Sequence, residues 1–210
     1  VVGVIGYGVC VGSWDKLRRN VIPYTLGRPL FALSGQTQIA RAYNHILDAY
    51  AADGLDAVIL LHDDLEMVDR DAEAKFIAAM TPDVALVGVA GGKSDKTLAW
   101  WNSETVGHQM TDSGLIDFGT RTGDVAILEG SILVFSPWAV ENLRFDERYP
   151  GFHGYDEVCL TVRQAGMRVT VADVDTHHHT TVGFKSPAIA AAWDVTEAMF
   201  QEKWHAGVAS

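Results

Sequence analysis

The 210-residue chain contains only two cysteines, Cys10 and Cys159, which excludes a disulfide framework and a four-cysteine zinc site and points to a reducing, cytoplasmic setting. Long apolar runs are missing as well. Stretches such as Val58–Leu61 fall far short of the ~20 residues that cross a bilayer, so a soluble protein without an integral membrane segment is expected. Positive charge is scarce: 16 Lys and Arg stand against 27 Asp and Glu, for a formal net charge of −11. That balance excludes a general nucleic-acid-binding surface, and an anionic ligand would need local help. Internal repeats, low-complexity tracts and linkers rich in Pro, Gly and Ser are also absent, so one domain over residues 1–210 is expected. What is present, 48% hydrophobic and 20% charged, suits an ordinary globular core.

Apolar, β-branched segments alternate with helical periods. Val1–Ile5, Leu55–Leu61, Val84–Ala90, Val125–Phe135 and Arg168–Val174 have the hydrophobic continuity of strands in a largely buried sheet. Between the first two, Ile39, Tyr43, Ile46, Leu47 and Tyr50 form one helical stripe that Gly54 can close. The spacing predicts further helices over Asp69–Met80, stopped by Thr81-Pro82, and over Tyr155–Ala165, stopped by Gly166. A last helix opens at Ser186-Pro187 and carries Ile189, Trp193, Phe200 and Trp204 on roughly one side. This alternation predicts an α/β domain with a mostly parallel central sheet flanked by helices. The stretch from Gly91 to Gly123, with Trp100, Trp101 and His108, reads as a substrate-facing loop or lid, or as a surface loop.

Four constellations bear on chemistry. Gly6-Tyr7-Gly8-Val9-Cys10-Val11-Gly12 follows the first strand as a dinucleotide-binding turn would, but Val11 stands where the third glycine belongs and Arg28–Gln38 holds no acid for a ribose. Tight turns beside a strand are the better reading. His62-Asp63-Asp64-Leu65-Glu66 lies just beyond Leu55–Leu61, at the carboxyl end of a strand, where open α/β sheets hold ligands. Adjacent carboxylates repel, so a divalent cation that neutralises them would also let an acidic protein hold a diphosphate; a solvated acidic turn is the alternative.

Phe152-His153-Gly154-Tyr155-Asp156-Glu157 opens a helix with two acids in its first turn, which suits either the helix dipole or a general base. His177-His178-His179 follows the strand Arg168–Val174. On an extended chain His177 and His179 point one way and His178 the other, so His177 or His179, and not His178, is expected to join Asp64 at a metal. Imidazole would tilt that site toward manganese, and a solvated histidine cluster is the alternative.

In their order and spacing these pieces resemble the family-2 glycosyltransferases with the GT-A fold. The resemblance rests on Ile39–Asp69, with Ala42-Tyr43-Asn44 and Leu60-Leu61-His62-Asp63-Asp64, and on Leu128–Gly183, with Glu129-Gly130-Ser131, Phe145-Asp146-Glu147, His153–Glu157, Arg163-Gln164-Ala165-Gly166 and the triple histidine. It implies a single GT-A-type, Rossmann-like domain and a nucleotide-sugar donor, with a UDP-sugar foremost, held in residues 1–90 by Asp63, Asp64, Ser13, Trp14 and Asn44. It implies a divalent cation, Mn2+ or Mg2+, on Asp64 with His177 or His179. Residues 91–210 would form the acceptor and catalytic half, with Asp156 or Glu157 as the base for a carbohydrate or other hydroxyl acceptor. The implied activity is an inverting, hexosyltransferase-like transfer of class EC 2.4. Asp156 and Glu157 are adjacent where the family often reads acid, any residue, acid, and Gly6-Tyr7-Gly8 replaces its Pro-x-Tyr/Asn turn. Two other functions fit less of the pattern: a GT-A-like protein that binds nucleotide sugar without transfer, and a sugar nucleotidyltransferase, for which Gly3–Gly12 lacks the expected Lys or Arg.

Overall fold

The computed structural model describes residues 3–149, 154–180 and 187–206, so Val1, Val2, Phe152, His153 and Ser186 of the expected elements lie outside the described residues. The chain runs through β1 (Ile5–Val11), α1 (Trp14–Lys16), a π turn (Leu17–Val21), α2 (Ile22–Thr25), β2 (Leu30–Ser34), α3 (Ile39–Tyr50), β3 (Ala57–His62), β4 (Leu65–Met67), α4 (Ala72–Ala79), β5 (Val84–Gly88) and β6 (Ala90–Gly92). It continues through a 3-10 turn (Trp100–Asn102), β7 (Thr105–Thr111), β8 (Gly114–Asp117), β9 (Gly123–Asp124), β10 (Ile127–Leu128), β11 (Ile132–Phe135), α5 (Pro137–Asn142), a second 3-10 turn (Tyr155–Glu157), α6 (Val158–Gln164), β12 (Arg168–Val171), β13 (Thr176–His178) and α7 (Pro187–His205).

The main sheet has seven strands in the order β2-β1-β3-β11-β5-β12-β9. β11 is antiparallel to both of its neighbours and β9 is antiparallel to β12, while the other pairs are parallel. The sheet is therefore mixed, with most strands running one way. Alternation along β3 builds both cores: Val58 and Leu60 pack on the side of α3, while Ala57, Ile59 and Leu61 face the opposite side with Phe76 of α4. Each such Leu or Ile, fully buried, contributes ~1.5–3 kcal/mol. The stripe Ile39, Tyr43, Ile46, Leu47 and Tyr50 is buried as the sequence predicts.

The glycine run belongs to β1 itself, which begins where the expected strand Val1–Ile5 ends. A Cβ on Gly8 would collide with Ile46 of α3 and Leu60 of β3, so these glycines let a helix lie close on the sheet. The expected strand Val125–Phe135 divides into β9's sequel β10 and β11, because the chain leaves one sheet for another at Glu129-Gly130-Ser131. Val84–Ala90 likewise divides between β5 and β6.

The stretch from Gly91 to Gly123 is woven into a second sheet, of order β10-β6-β7-β13-β4 with β8 paired to β7, and is not an open lid. Apart from the seven-residue β7, its strands are too short to show a readable period. Trp100 is buried edge-on to Phe118, whereas Trp101 is exposed beside Trp193 of α7 at 5.4 Å between rings. Two connections join the sheets near one another. Asp63 and Asp64 link β3 to β4, and Glu129-Gly130-Ser131 links β10 to β11, with the His62 amide donating to the Ser131 carbonyl at 2.9 Å.

Candidate active site

The two acids after β3 do different work. Asp63 is buried, and its Oδ2 accepts from the backbone amides of Gly12 at 2.8 Å and Ser13 at 2.6 Å, which ties the end of β1 to the start of α1. Ser13 caps α1, and Trp14, next along, is half exposed. Asp64 instead faces imidazoles. Its Oδ1 lies 3.2 Å from His178 Nε2 and 4.0 Å from His62 Nδ1, while Oδ2 accepts from Lys16 Nζ at 2.9 Å. Burial alone would raise the Asp64 carboxyl, but hydrogen bonds with His178 and Lys16 hold it well below the usual carboxylate range. Burial and the neighbouring His178 lower His62, which favours the neutral, ligating imidazole.

His62, Asp64 and His178 can each turn one ligand atom to a common point, those atoms lying within 4.8 Å of one another. Two nitrogens and one carboxylate oxygen suit manganese or zinc better than magnesium, which prefers oxygen alone. The cluster continues on its other side. His62 Nε2 is 2.8 Å from the Tyr155 hydroxyl, and Tyr155 packs edge-on against Tyr43 of α3.

Beside Tyr155, Asp156 turns toward Gly130. Its Oδ1 is shielded from solvent and has no hydrogen-bond partner within the described protein. A Cβ on Gly130 would collide with that oxygen and with the Tyr155 ring, so only glycine leaves the carboxylate this position. Burial, then the charge of Glu129, raises the Asp156 carboxyl well above its ordinary value. Glu129 is itself held by the Ser131 amide at 3.0 Å and by the Ser131 hydroxyl. The turn that delivers these groups starts at Gly154, whose φ of +82° favours glycine, and Thr196 of α7 packs where its side chain would be.

Glu157 faces away from this cluster. It is 1% exposed and accepts from Lys203 Nζ at 3.0 Å and Trp204 Nε1 at 2.7 Å, both from α7. Burial raises its carboxyl and the Lys203 ammonium opposes the shift. Asn44 is also committed: it accepts from the Phe145 amide at 2.7 Å and donates to the Phe145 carbonyl and to Glu147, each at 3.0 Å. Those bonds fasten α3 to the segment after α5.

The triple histidine splits by alternation, as expected, but with the faces exchanged. β13 pairs antiparallel with β4, and this places His178 on the side of Asp64 and turns His177 and His179 toward Glu66 and Asp112. The cluster also contains His62, Lys16, Tyr155 and Glu129, which the sequence did not single out as ligands or site residues. His62 and Asp64 stand two apart at a strand end, a spacing that can turn both to one side.

The mixed α/β sheet, with acids at the end of β3 and a second sheet beside them, has the GT-A-type fold of the structures it aligns with. Residues 7–203 match the model of the glycosyltransferase-like family, and the chain belongs to that family. The streptomycin biosynthesis protein StrF of Streptomyces griseus is 36% identical over 187 residues, which cover 84% of this chain and 66% of StrF. This chain therefore spans just under two thirds of that relative. Among solved structures, GalNAc-T7 with UDP, GalNAc and Mn2+ aligns with 97% of this chain and 51% of its own at a TM-score of 0.63 and 10% identity. Protein A197 from STIV aligns with 84% of this chain and 85% of its own at a TM-score of 0.55 and 14% identity. At such identities the structures speak for the fold alone.

Proposed function

We propose that this chain is a divalent-metal-dependent, inverting glycosyltransferase that moves a sugar from a UDP-sugar to a carbohydrate or other hydroxyl acceptor. The observation that carries the reading is one continuous cluster at the junction of the sheets, with the ligand set His62, Asp64 and His178 joined through the 2.8 Å contact of His62 with Tyr155 to the neighbouring Asp156, whose Oδ1 has no hydrogen-bond partner among the described residues. Membership of a glycosyltransferase-like family supports glycosyl transfer, and the UDP and Mn2+ bound to GalNAc-T7 on a similar fold support the choice of donor and cation.

A cation on Asp64, His178 and His62 would supply positive charge against the diphosphate of the donor. Lys16, paired with Asp64 at the start of α1, is placed to add a second positive group. The acceptor hydroxyl gives its proton to Asp156 as its oxygen bonds to the anomeric carbon, and the bond from that carbon to the nucleoside diphosphate breaks. Attack from the face opposite the leaving group inverts the centre. A single carboxylate suffices, unlike the paired acids of a hydrolase. The high proton affinity of Asp156 makes it a stronger base once ionised.

Residues 1–90 would hold the donor, with Ser13, Trp14 and Asp63 near its nucleotide, and residues 91–210 the acceptor. Hexosyl transfer is the finer form of this reading. Among the described residues no helix is long and apolar enough to cross a membrane, and both cysteines are buried free thiols, which suit a cytoplasmic setting. The test is a thermal-shift screen of nucleotide sugars with and without Mn2+, followed by product analysis. Stabilisation by UDP-sugars that needs Mn2+ is expected, and indifference to every nucleotide sugar would contradict the reading.

A further inference from the structure

On the other face of β13 lies a second group of ligating side chains. His177 stands opposite Glu66 in the β13 and β4 register, and His179, two residues on, returns to the same side. The two rings are 3.9 Å apart and 31° from parallel. His179 Nε2 is 3.0 Å from Glu66 Oε2, and Glu66, His177 and His179 can bring one ligand atom each within 4.8 Å of the others. Asp112, just past β7, sits behind both rings, with Oδ1 3.2 Å from His177 Nε2 and 3.5 Å from His179 Nδ1.

We infer that Glu66, His177 and His179 form a second metal site, separate from the Asp64 cluster, that takes a transition metal of the zinc class. Two imidazoles and a carboxylate are a ligand set for tetrahedral Zn2+, whose ligands at ~2.0–2.1 Å from the ion stand about 3.3 Å from one another, near the 3.0 Å between His179 Nε2 and Glu66 Oε2. Magnesium is disfavoured by the nitrogens. Asp112 supplies what bound histidines need, a carboxylate on the ring nitrogen turned from the ion, as at His179 Nδ1. These side chains are 27–46% exposed, so an ion can enter and a water can complete its shell. The consequence reaches the active site through the backbone: β13 carries His178 on one face and this site on the other, so a metal that clamps β13 to β4 fixes the strand that presents His178 to Asp64. The ligands of the two clusters are different side chains, and the second stands whether or not sugar is transferred.

The experiment is a calorimetric titration of Zn2+ into the full chain carrying Asp64→Asn and His178→Ala, which removes the other ligand set. One Zn2+ per chain is expected, weakened at least ~100-fold by a further Glu66→Gln or His179→Ala, the upper end of the loss caused by removing a group that merely orients a ligand. No binding in that background, or binding unmoved by both further changes, overturns the site. Should the double variant fail to fold, the visible absorption of bound Co2+ decides between the parent and a single variant. His179→Ala is expected to bind one Co2+ fewer than the parent, with the first ligand set intact in both; equal Co2+ stoichiometry in the two overturns the site.

Discussion

His178 Nε2 stands 3.2 Å from Asp64 Oδ1, while the histidines on either side of it in sequence turn to Glu66 and Asp112. The middle histidine is thus the one offered to the acids of the β3 end, and the antiparallel pairing of β13 with β4 is the cause.

His178→Ala is therefore expected to remove the gain in UDP affinity that Mn2+ provides, and Asp64→Ala to do the same. His177→Ala and His179→Ala should retain most of it. Calorimetry of UDP with and without Mn2+ reads the difference, and a larger loss at His177 or His179 than at His178 would contradict the arrangement.

Asp156→Asn keeps size and removes basicity, so turnover should fall at least ~10²-fold, the scale of general-base catalysis, with UDP affinity nearly unchanged. Glu157→Gln is expected to act on stability: it replaces a charge-assisted bond to Lys203, a change of up to about 1.5–3 kcal/mol, the range for bonds to charged groups. Denaturant unfolding alongside steady-state rates separates the two. A rate loss at Glu157 in a fully stable protein, with none at Asp156, would exchange their roles.

The folded protein binds the Asp156 proton more tightly than the unfolded chain does, because burial and Glu129 raise its pKa. Its contribution to stability is then full below the unfolded value of ~3.9 and is lost as pH rises through the folded value. Asp156→Asn abolishes that titration. Melting of the two proteins from about pH 4 to about pH 8 should show the variant gaining on the parent as pH rises. A variant-minus-parent difference in melting temperature that stays constant or falls as pH rises would contradict the burial of this carboxyl.

Asn44→Ala tests a residue that the family resemblance assigns to the donor and that the structure ties to Phe145 and Glu147. Losing the bond from the Phe145 amide leaves a buried donor unsatisfied, at a cost of about 1–3 kcal/mol. Unfolding in urea should register that cost while UDP affinity stays near the parent's. A stable variant that has lost UDP would return Asn44 to the donor site.

The parts legible in the sequence were local. The stripe of α3, the run of β3 and the acids at its end declare themselves by period and by position, and the alternation of His177, His178 and His179 follows from strand geometry alone. Which face of β13 meets Asp64 depends on pairing with β4 more than a hundred residues away in sequence, and nothing in the triple histidine encodes it. The commitment of Glu157 likewise comes from Lys203 and Trp204 at the far end of α7. Between Gly91 and Gly123 the second sheet is built, apart from β7, of strands only three or four residues long, too short for hydrophobic alternation to stand out from a loop.

The most direct measurement is UDP release from a UDP-sugar, with water or an added hydroxyl compound as acceptor, compared among the parent with Mn2+, the parent with chelator, Asp64→Ala and Asp156→Asn. The account predicts release by the parent with Mn2+ and a fall of at least ~10²-fold in the other three. Equal release under chelator, or a parental rate in Asp156→Asn, would contradict it.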